Sequence, residues 1–240
     1  MGRGSRRKSV LDDVEKTQAD IDNQPHRLAA NGILDLLKKY FEAHEDEVNA
    51  VDDRGCTPLI WAARNGHIEV VKYLVEVGGD VEMGGYGGMK SIHHAANNFQ
   101  EAVVGVLLER GANPNGTDEM GNCSLHYACA RGILNLVVTL IEKGADVNLG
   151  NDQGTTPLHK ACIYGHLAIV KKLLQFGADA DAADKDGNAP LHCAARVGFA
   201  NICKHLAGEG KANLRKANNA GKSPAEMALD AEIQELLVAV

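Results

Sequence analysis

Apolar residues recur along the chain at helical spacing, in short runs separated by turns that contain glycine. In one such run, Ile68, Val70, Val71, Leu74 and Val75 would share one face of a helix. Similar runs precede turns with the sequences EVGGDVE, ERGANPN, EKGADVN and QFGADAD. The pattern therefore predicts short amphipathic helices that alternate with tight turns.

A sequence block recurs with a period of 33 residues. It starts at residues 57, 90, 123, 156 and 189 with TPLIWAARNGH, KSIHHAANNFQ, CSLHYACARGI, TPLHKACIYGH and APLHCAARVGF. A partial sixth copy, SPAEMAL, starts at Ser223, and a glycine stands two residues before each complete block. A fixed period of this length is typical of stacked helical repeats.

Local signals within each block predict where its first helix begins and ends. The hydroxyl of Thr57 or Thr156 is expected to cap this helix, and the proline that follows suits the first helical position. Gly66 and its equivalents offer a left-handed turn into a second helix. Pairs such as Ala62 and Ala63 let neighbouring repeats approach closely. Because helices this short are marginal alone, we expect stacking to stabilise them.

The TPLHxA block, the period and the GADVN turn resemble the ankyrin-repeat family over roughly residues 45–235. This resemblance implies an all-α solenoid of about seven units including caps. Each unit would pair two antiparallel helices with a protruding β-hairpin tip. The tip of the second block, MGGYGGM, departs most from the pattern, which is consistent either with a tip that adjusts to a partner or with drift of an exposed loop.

The repeat register divides the chain into predicted regions. Residues 1–21 are expected to form a polar, flexible N-terminal tail, and residues 22–240 an ankyrin-repeat domain. Within that domain we expect a degenerate N-terminal cap repeat over 22–52, five repeats over 53–221 and a C-terminal cap over 222–240.

Composition narrows the classes of function. A formal net charge of −7 offers no broad basic face for nucleic acid. No apolar run approaches the roughly 20 residues that cross a bilayer, and the chain starts without the pattern of a secretory signal. The six cysteines form no CxxC pair, so we expect reduced core thiols. These features favour a cytoplasmic protein, with a nuclear location or one in the cytoskeleton or cilium as alternatives.

Histidines within the block raise the question of catalysis or metal binding. His93, His126, His159 and His192 recur at the repeat period. In the ankyrin family this position hydrogen-bonds between repeats, so the resemblance implies a structural role rather than the convergent ligands of a metal site. The chain also lacks GxSxG, GxxxxGK[ST] and HExxH motifs. We therefore expect no enzymatic activity, no metal and no cofactor.

The resemblance also implies where a protein partner would bind. In ankyrin arrays, partners usually contact the tips and the exposed residues of the first helices, which line the concave face. Trp, Tyr and Arg dominate interface hot spots and are concentrated at these positions, and the arginines favour an acidic partner. Two of these candidates, Trp61 and Tyr127, have packing between helices as an alternative role. The candidates are Arg54, Trp61, Arg64, Asn65, Tyr86, Asn97, Asn98, Met120, Tyr127, Arg131, Lys160, Tyr164 and Arg196.

The leading hypothesis is a non-catalytic adaptor or scaffold that binds protein, as a monomer or as a subunit of a larger complex. Alternatives are a chaperone of the proteasome-assembly type, a cytoskeletal or ciliary structural component, and an enzyme regulator gated by phosphorylation of the tail. The last depends on Ser9, which follows Arg6, Arg7 and Lys8 and so resembles a substrate of basic-directed kinases.

Overall fold

A computed structural model describes residues 24–239 of the chain. The predicted tail and its candidate phosphorylation site Ser9 lie outside these residues. The described part contains fourteen α-helices and two short 3₁₀ turns, Glu45–Glu47 and Tyr86–Gly88. The α-helices are α1 Pro25–Ala30, α2 Leu34–Ala43, α3 Pro58–Asn65, α4 Ile68–Glu76, α5 Ser91–Asn97, α6 Glu101–Glu109, α7 Ser124–Arg131, α8 Leu134–Glu142, α9 Pro157–Ile163, α10 Leu167–Gln175, α11 Pro190–Val197, α12 Ala200–Ala207, α13 Pro224–Met227 and α14 Ala231–Ala239.

The helices form two layers, which confirms the predicted solenoid of helix pairs. The odd-numbered helices are the first helices of the repeats, and each packs on the next from α1 to α13. The even-numbered second helices pack in the same way from α4 to α14, and each first helix also contacts its own second helix. Every repeat is therefore stabilised by its neighbours in the array.

The helix starts and ends follow the local signals in the block. Thr57 Oγ1 accepts a hydrogen bond from the backbone N–H of Ile60 at 3.3 Å, and Thr156 Oγ1 accepts one from His159 at 3.5 Å. A proline follows each of these threonines at the first helical position. Gly66 ends α3 in the left-handed conformation with φ 82°. The predicted caps and turns are thus confirmed.

The core runs without interruption through the stacked repeats. Ala62 and Ala63 are fully buried, as are Ala95 and Ala96 in the next repeat. All six cysteines are buried and free, as expected for core thiols. Small side chains at these positions allow the first helices to pack closely.

Four buried histidines join consecutive repeats, as the family resemblance implies. In each ring Nδ1 accepts the backbone N–H of the helix-capping residue at 3.1–3.2 Å. The Nε2–H then donates to a backbone carbonyl oxygen 23 to 30 residues further along the chain, at 2.8–3.1 Å. A single neutral tautomer therefore satisfies both partners. The four are His93, His126, His159 and His192.

A second ladder of side chains, absent from the sequence predictions, connects the turns that follow the second helices. At positions 33 residues apart, a side-chain oxygen accepts a backbone N–H from the next repeat at 2.8 Å. The acceptors are Asn49, Glu82, Asn115, Asn148 and Asp181. The signal in the sequence is a periodic residue that can accept a hydrogen bond, whether amide or carboxylate.

The tips are tight turns, and no β-strand occurs within residues 24–239. In one tip the N–H of Asp118 donates to the carbonyl of Asn122 at 3.0 Å, and the N–H of Asp152 in the next tip donates to the carbonyl of Met120, also at 3.0 Å. Gly121 permits this approach, because a Cβ atom there would lie 2.6 Å from the backbone nitrogen of Asp152. Backbone contacts thus hold adjacent tips in register.

The histidine ladder makes stability depend on pH. Burial lowers the pKa of His126 to about 4, while in the unfolded chain this group titrates near 6.5. Between these two pH values the unfolded state therefore binds more protons than the folded state. The contribution of His126 to the free energy of unfolding is complete above pH 6.5 and is lost as the pH falls toward 4. We predict that His126→Gln lowers the free energy of unfolding at pH 7.5. The free energy of unfolding of this variant should also change less steeply with pH than that of the wild type, by about 1 kcal/mol per pH unit near pH 5.5.

Urea unfolding followed by circular dichroism from pH 4 to 8 measures both effects. Tyr164→Phe, which leaves every histidine in place, should keep the slope of the wild type. Equal slopes for His126→Gln and wild type would show that His126 is not held neutral by the fold.

Candidate partner-binding surface

We call the surface formed by the exposed side chains of α3, α5, α7, α9 and α11, together with the tips before these helices and the turn residues directly after them, the first-helix face. All thirteen candidate residues lie on these helices, on the residues that cap them or on the tips before them. The structure brings some of them together and separates others.

The candidates nearest the N-terminal end of this face cluster around the single tryptophan of the chain. Trp61 is half-buried, and its Nε1–H donates to Asp52 Oδ2 at 2.8 Å. The guanidinium carbon of Arg64 lies 5.2 Å from the centre of a Trp61 ring, and that of Arg54 lies 5.9 Å away. Trp61 thus packs within its own repeat and also supports two exposed cations.

Two candidate asparagines use their side chains within the fold. Asn65 Nδ2 donates to the carbonyl of Ala30 in the preceding repeat at 2.7 Å. Asn98 Nδ2 donates to the carbonyl of His94 at 2.8 Å and closes the end of α5. Both amides therefore have fewer hydrogen-bonding groups to offer a partner.

Three other candidates lie on the tips or near the end of α11. Tyr86 and Met120 are highly exposed on adjacent tips, with exposed fractions of 81% and 63%. Arg196 is exposed near the end of α11.

Five candidates line one cleft that spans α5, α7 and α9. Its volume is about 260 Å³. Asn97 Oδ1 accepts a hydrogen bond from Arg131 Nε at 2.8 Å, which joins two repeats across the cleft. Asn122, His126 and Ala130 also line it, although the sequence analysis did not include them as binding residues. The five candidates are Asn97, Tyr127, Arg131, Lys160 and Tyr164.

The carboxylate nearest to this group is already occupied by the chain itself. Asp118 accepts hydrogen bonds from the Tyr127 hydroxyl at 2.5 Å and from the backbone N–H groups of Asn122 and Met120 at 2.8 and 2.9 Å. Although burial opposes it, these bonds hold the pKa of Asp118 below its usual value. Burial lowers the pKa of Lys160, an effect that the Asp118 carboxylate partly offsets.

The five first helices carry no anions, and four of them carry a Lys or Arg. Asp and Glu are absent from the sequences of α3, α5, α7, α9 and α11, whereas α4, α6 and α8 among the second helices beside them contain Glu. No Lys or Arg of these five helices forms an ion pair within residues 24–239. Cations in the last helical turn also interact favourably with the helix dipole. The cations are Arg64, Arg131, Lys160 and Arg196.

Phe99 is an exposed aromatic residue on this face that the sequence analysis missed. It occupies the turn position where the equivalent residues are Gly66, Gly132, Gly165 and Gly198, and its φ is 63°. A side chain in the left-handed region costs about 1–2 kcal/mol. Phe99 is 59% exposed, and the Arg131 guanidinium carbon lies 5.9 Å from its ring centre. The signal in the sequence is the break in the glycine period.

Comparison with known families identifies the class of protein. The family model described as ankyrin repeats (3 copies) matches residues 26–118, 93–184, 125–218 and 165–238. These overlapping matches cover most of the chain, which therefore belongs to the ankyrin-repeat family. Ankyrin repeats are generally protein–protein interaction modules.

A solved structure supports the same architecture. The crystal structure of the human ASB11 ankyrin repeat domain aligns with a TM-score of 0.78 and 31% sequence identity. The alignment covers 90% of this chain and 96% of that chain. The fold predicted from the repeat period is therefore confirmed.

Curated relatives match over shorter segments. The human DNA-binding protein RFXANK is 51% identical over 55 residues, which are 23% of this chain and 21% of that protein. The human Ankyrin repeat family A protein 2 is 42% identical over 62 residues, or 26% of this chain and 20% of that protein. This chain thus spans about a fifth of the length of these relatives.

Two properties of the described residues bear on other classes of site. Residues 24–239 contain no group of three or more His, Cys, Asp or Glu side chains placed to hold a metal ion. Among the helices of this region, none has both the length and the apolar character required to cross a membrane.

Phe99 offers a direct test of strain on this face. We predict that Phe99→Gly raises the free energy of unfolding by about 0.5–1 kcal/mol, because the relief of left-handed strain exceeds the entropic cost of the added glycine. Urea unfolding measures this change. The matched control is Phe176→Gly, since Phe176 is also exposed but has an ordinary negative φ of −87°, and this variant should be destabilised. Equal loss of stability in both variants would contradict the assignment of strain to Phe99.

Proposed function

We propose that this chain is a non-catalytic adaptor or scaffold that binds a protein with an acidic surface through its first-helix face. The resemblance to ankyrin arrays, in which the first helices line the concave side, supports this choice of face. We further propose that the protein acts in the cytoplasm, as a monomer or as one subunit of a larger complex.

The absence of anions from the five first helices is the observation that carries this proposal. Four cations without ion pairs among the described residues give these five helices a single sign of charge. Such a surface attracts an acidic partner, accelerates its association and disfavours basic competitors. Lysines of the second helices, in contrast, include Lys72 paired with Glu69.

The residue types on this face support a protein partner. Tyr86, Met120 and Tyr164 expose large side chains on this face. Aromatic residues, Met and Arg are enriched in protein interfaces. A nucleic-acid partner is not proposed, because the chain has a net charge of −7 and DNA binding is described only in the name of a relative that matches over a 55-residue segment at 51% identity.

Co-purification from the native cells with mass spectrometry tests the proposal. A tagged variant with Arg64→Glu, Arg131→Glu and Tyr164→Ala should recover at least about tenfold less of a stoichiometric partner than the wild type, because it reverses two charges and removes an aromatic contact. Circular dichroism should show unchanged folding, since all three side chains are exposed.

The matched control places equivalent changes on the second-helix layer. Lys171→Glu, Lys204→Glu and Phe176→Ala also reverse two exposed charges and remove an exposed ring. This control should retain the partner. Retention by the first variant together with loss in the control would contradict the proposal and assign binding to the second helices.

A further inference from the structure

We propose that the cleft across α5, α7 and α9 anchors one acidic side chain, Asp or Glu, of an extended partner segment, and that an apolar residue of that segment packs on Phe99. The inference depends on the proposed function and specifies its central contact. The occupant is thus a short acidic and apolar motif within a protein.

Several hydrogen-bond donors in the cleft have no acceptor partner among the described residues. Arg131 uses Nε to reach Asn97 Oδ1, and its two Nη groups make no hydrogen bond within the described residues. Lys160 is half-buried yet forms no hydrogen bond or ion pair with residues 24–239. The exposed Tyr164 hydroxyl also has no partner in that part of the chain. A carboxylate, which accepts several hydrogen bonds and can pair with arginine in a bidentate manner, complements this set.

Residues 24–239 do not supply this carboxylate. Asp118 is near enough to affect the pKa of Lys160, but its oxygens already accept the Tyr127 hydroxyl and two backbone N–H groups. A half-buried ammonium group without an acceptor is costly, and an incoming carboxylate would offset that cost. The same residues would bind a neutral side chain less favourably.

The repeat geometry sets the length of the bound segment. Asn97 and Tyr164 lie two repeats apart on stacked first helices. Packed helices are separated by about 8–10 Å, so the cleft extends for about 16–20 Å. An extended chain rises about 3.3 Å per residue, so five or six residues would follow the cleft.

Phe99 defines a second contact at one end of the cleft. Its ring is exposed and adjoins the Arg131 guanidinium, although glycine stands at the equivalent turn in four other repeats. Strain of this kind is retained mainly where surrounding structure or function requires it. Phe99 lies about one repeat, or about 8–10 Å, from the middle of the cleft. At about 3.3 Å per residue of extended chain, the apolar residue of the bound segment would therefore lie about three positions from its acidic residue.

Selection from a displayed library of random 12-residue peptides tests this inference on the full-length chain. Enriched sequences are made as fluorescein-labelled peptides with acetylated N-termini and amidated C-termini, and fluorescence anisotropy measures their affinity. We expect an Asp or Glu with an apolar residue about three positions away. Changing that acid to its amide, or Lys160→Gln in the protein, should weaken binding about 10- to 100-fold.

The two changes together should weaken binding little more than either one alone, since they remove the same contact. Phe99→Gly should weaken binding while it stabilises the fold, a combination that a purely structural role would not produce. Lys171→Gln, which removes an exposed charge from the second-helix layer, should leave the affinity unchanged.

Three outcomes would overturn the inference. Peptides that need Arg64, Arg131 and Tyr164 but tolerate replacement of every acid would leave the proposed function standing and remove the acidic anchor. Peptides that bind only with a free C-terminal carboxylate would show that the cleft binds a chain terminus and not an acidic side chain. The third outcome would count against the proposed function as well. It is that the library yields no binders, or yields only peptides whose affinity is lowered by Lys171→Glu, Lys204→Glu and Phe176→Ala alone.

Discussion

The buried histidine that joins each of four consecutive repeats to the next is the contact on which the rest of this structure depends. Helices of seven to nine residues are marginal alone, and their capping N–H groups are buried in the stack. A neutral ring such as that of His159 accepts one such N–H and donates to the backbone of the following repeat. The stacking distance and register of the first helices follow from this contact, and with them the spacing of every side chain on the first-helix face.

Features that recur with the period could be predicted from the sequence, and features that break it could not. The sequence alone predicts a helix cap at Thr57, a left-handed turn at Gly66 and a link between repeats at His126. These predictions are possible because the requirements for each structure are local and are repeated along the chain. The pairing of Asn97 with Arg131 depends on side-chain packing between two repeats. The sequence also identifies exposed positions without showing which of them use their side chains within the fold, as Asn65 and Asn98 do.

Charge and strain are distributed unevenly across the two helical layers. Anions are excluded from the five first helices but appear in second helices, where Glu76 pairs with Arg110. The left-handed Phe99 lies next to Arg131, so a locally unfavourable backbone coincides with the cleft that has unmatched donors. A repeat array gains stability from periodic contacts, and departures from the period are therefore informative about binding.

Site-specific photo-crosslinking in the native cells tests the central claim, that a partner binds the first-helix face. A photo-reactive amino acid replaces Tyr164 in one variant and Phe176 in another, since both are exposed aromatic residues on opposite layers of the same repeat. Illumination should join one stoichiometric partner at position 164, at a segment rich in Asp and Glu, and give no such product at 176. A partner captured at 176 but not at 164 would contradict the account.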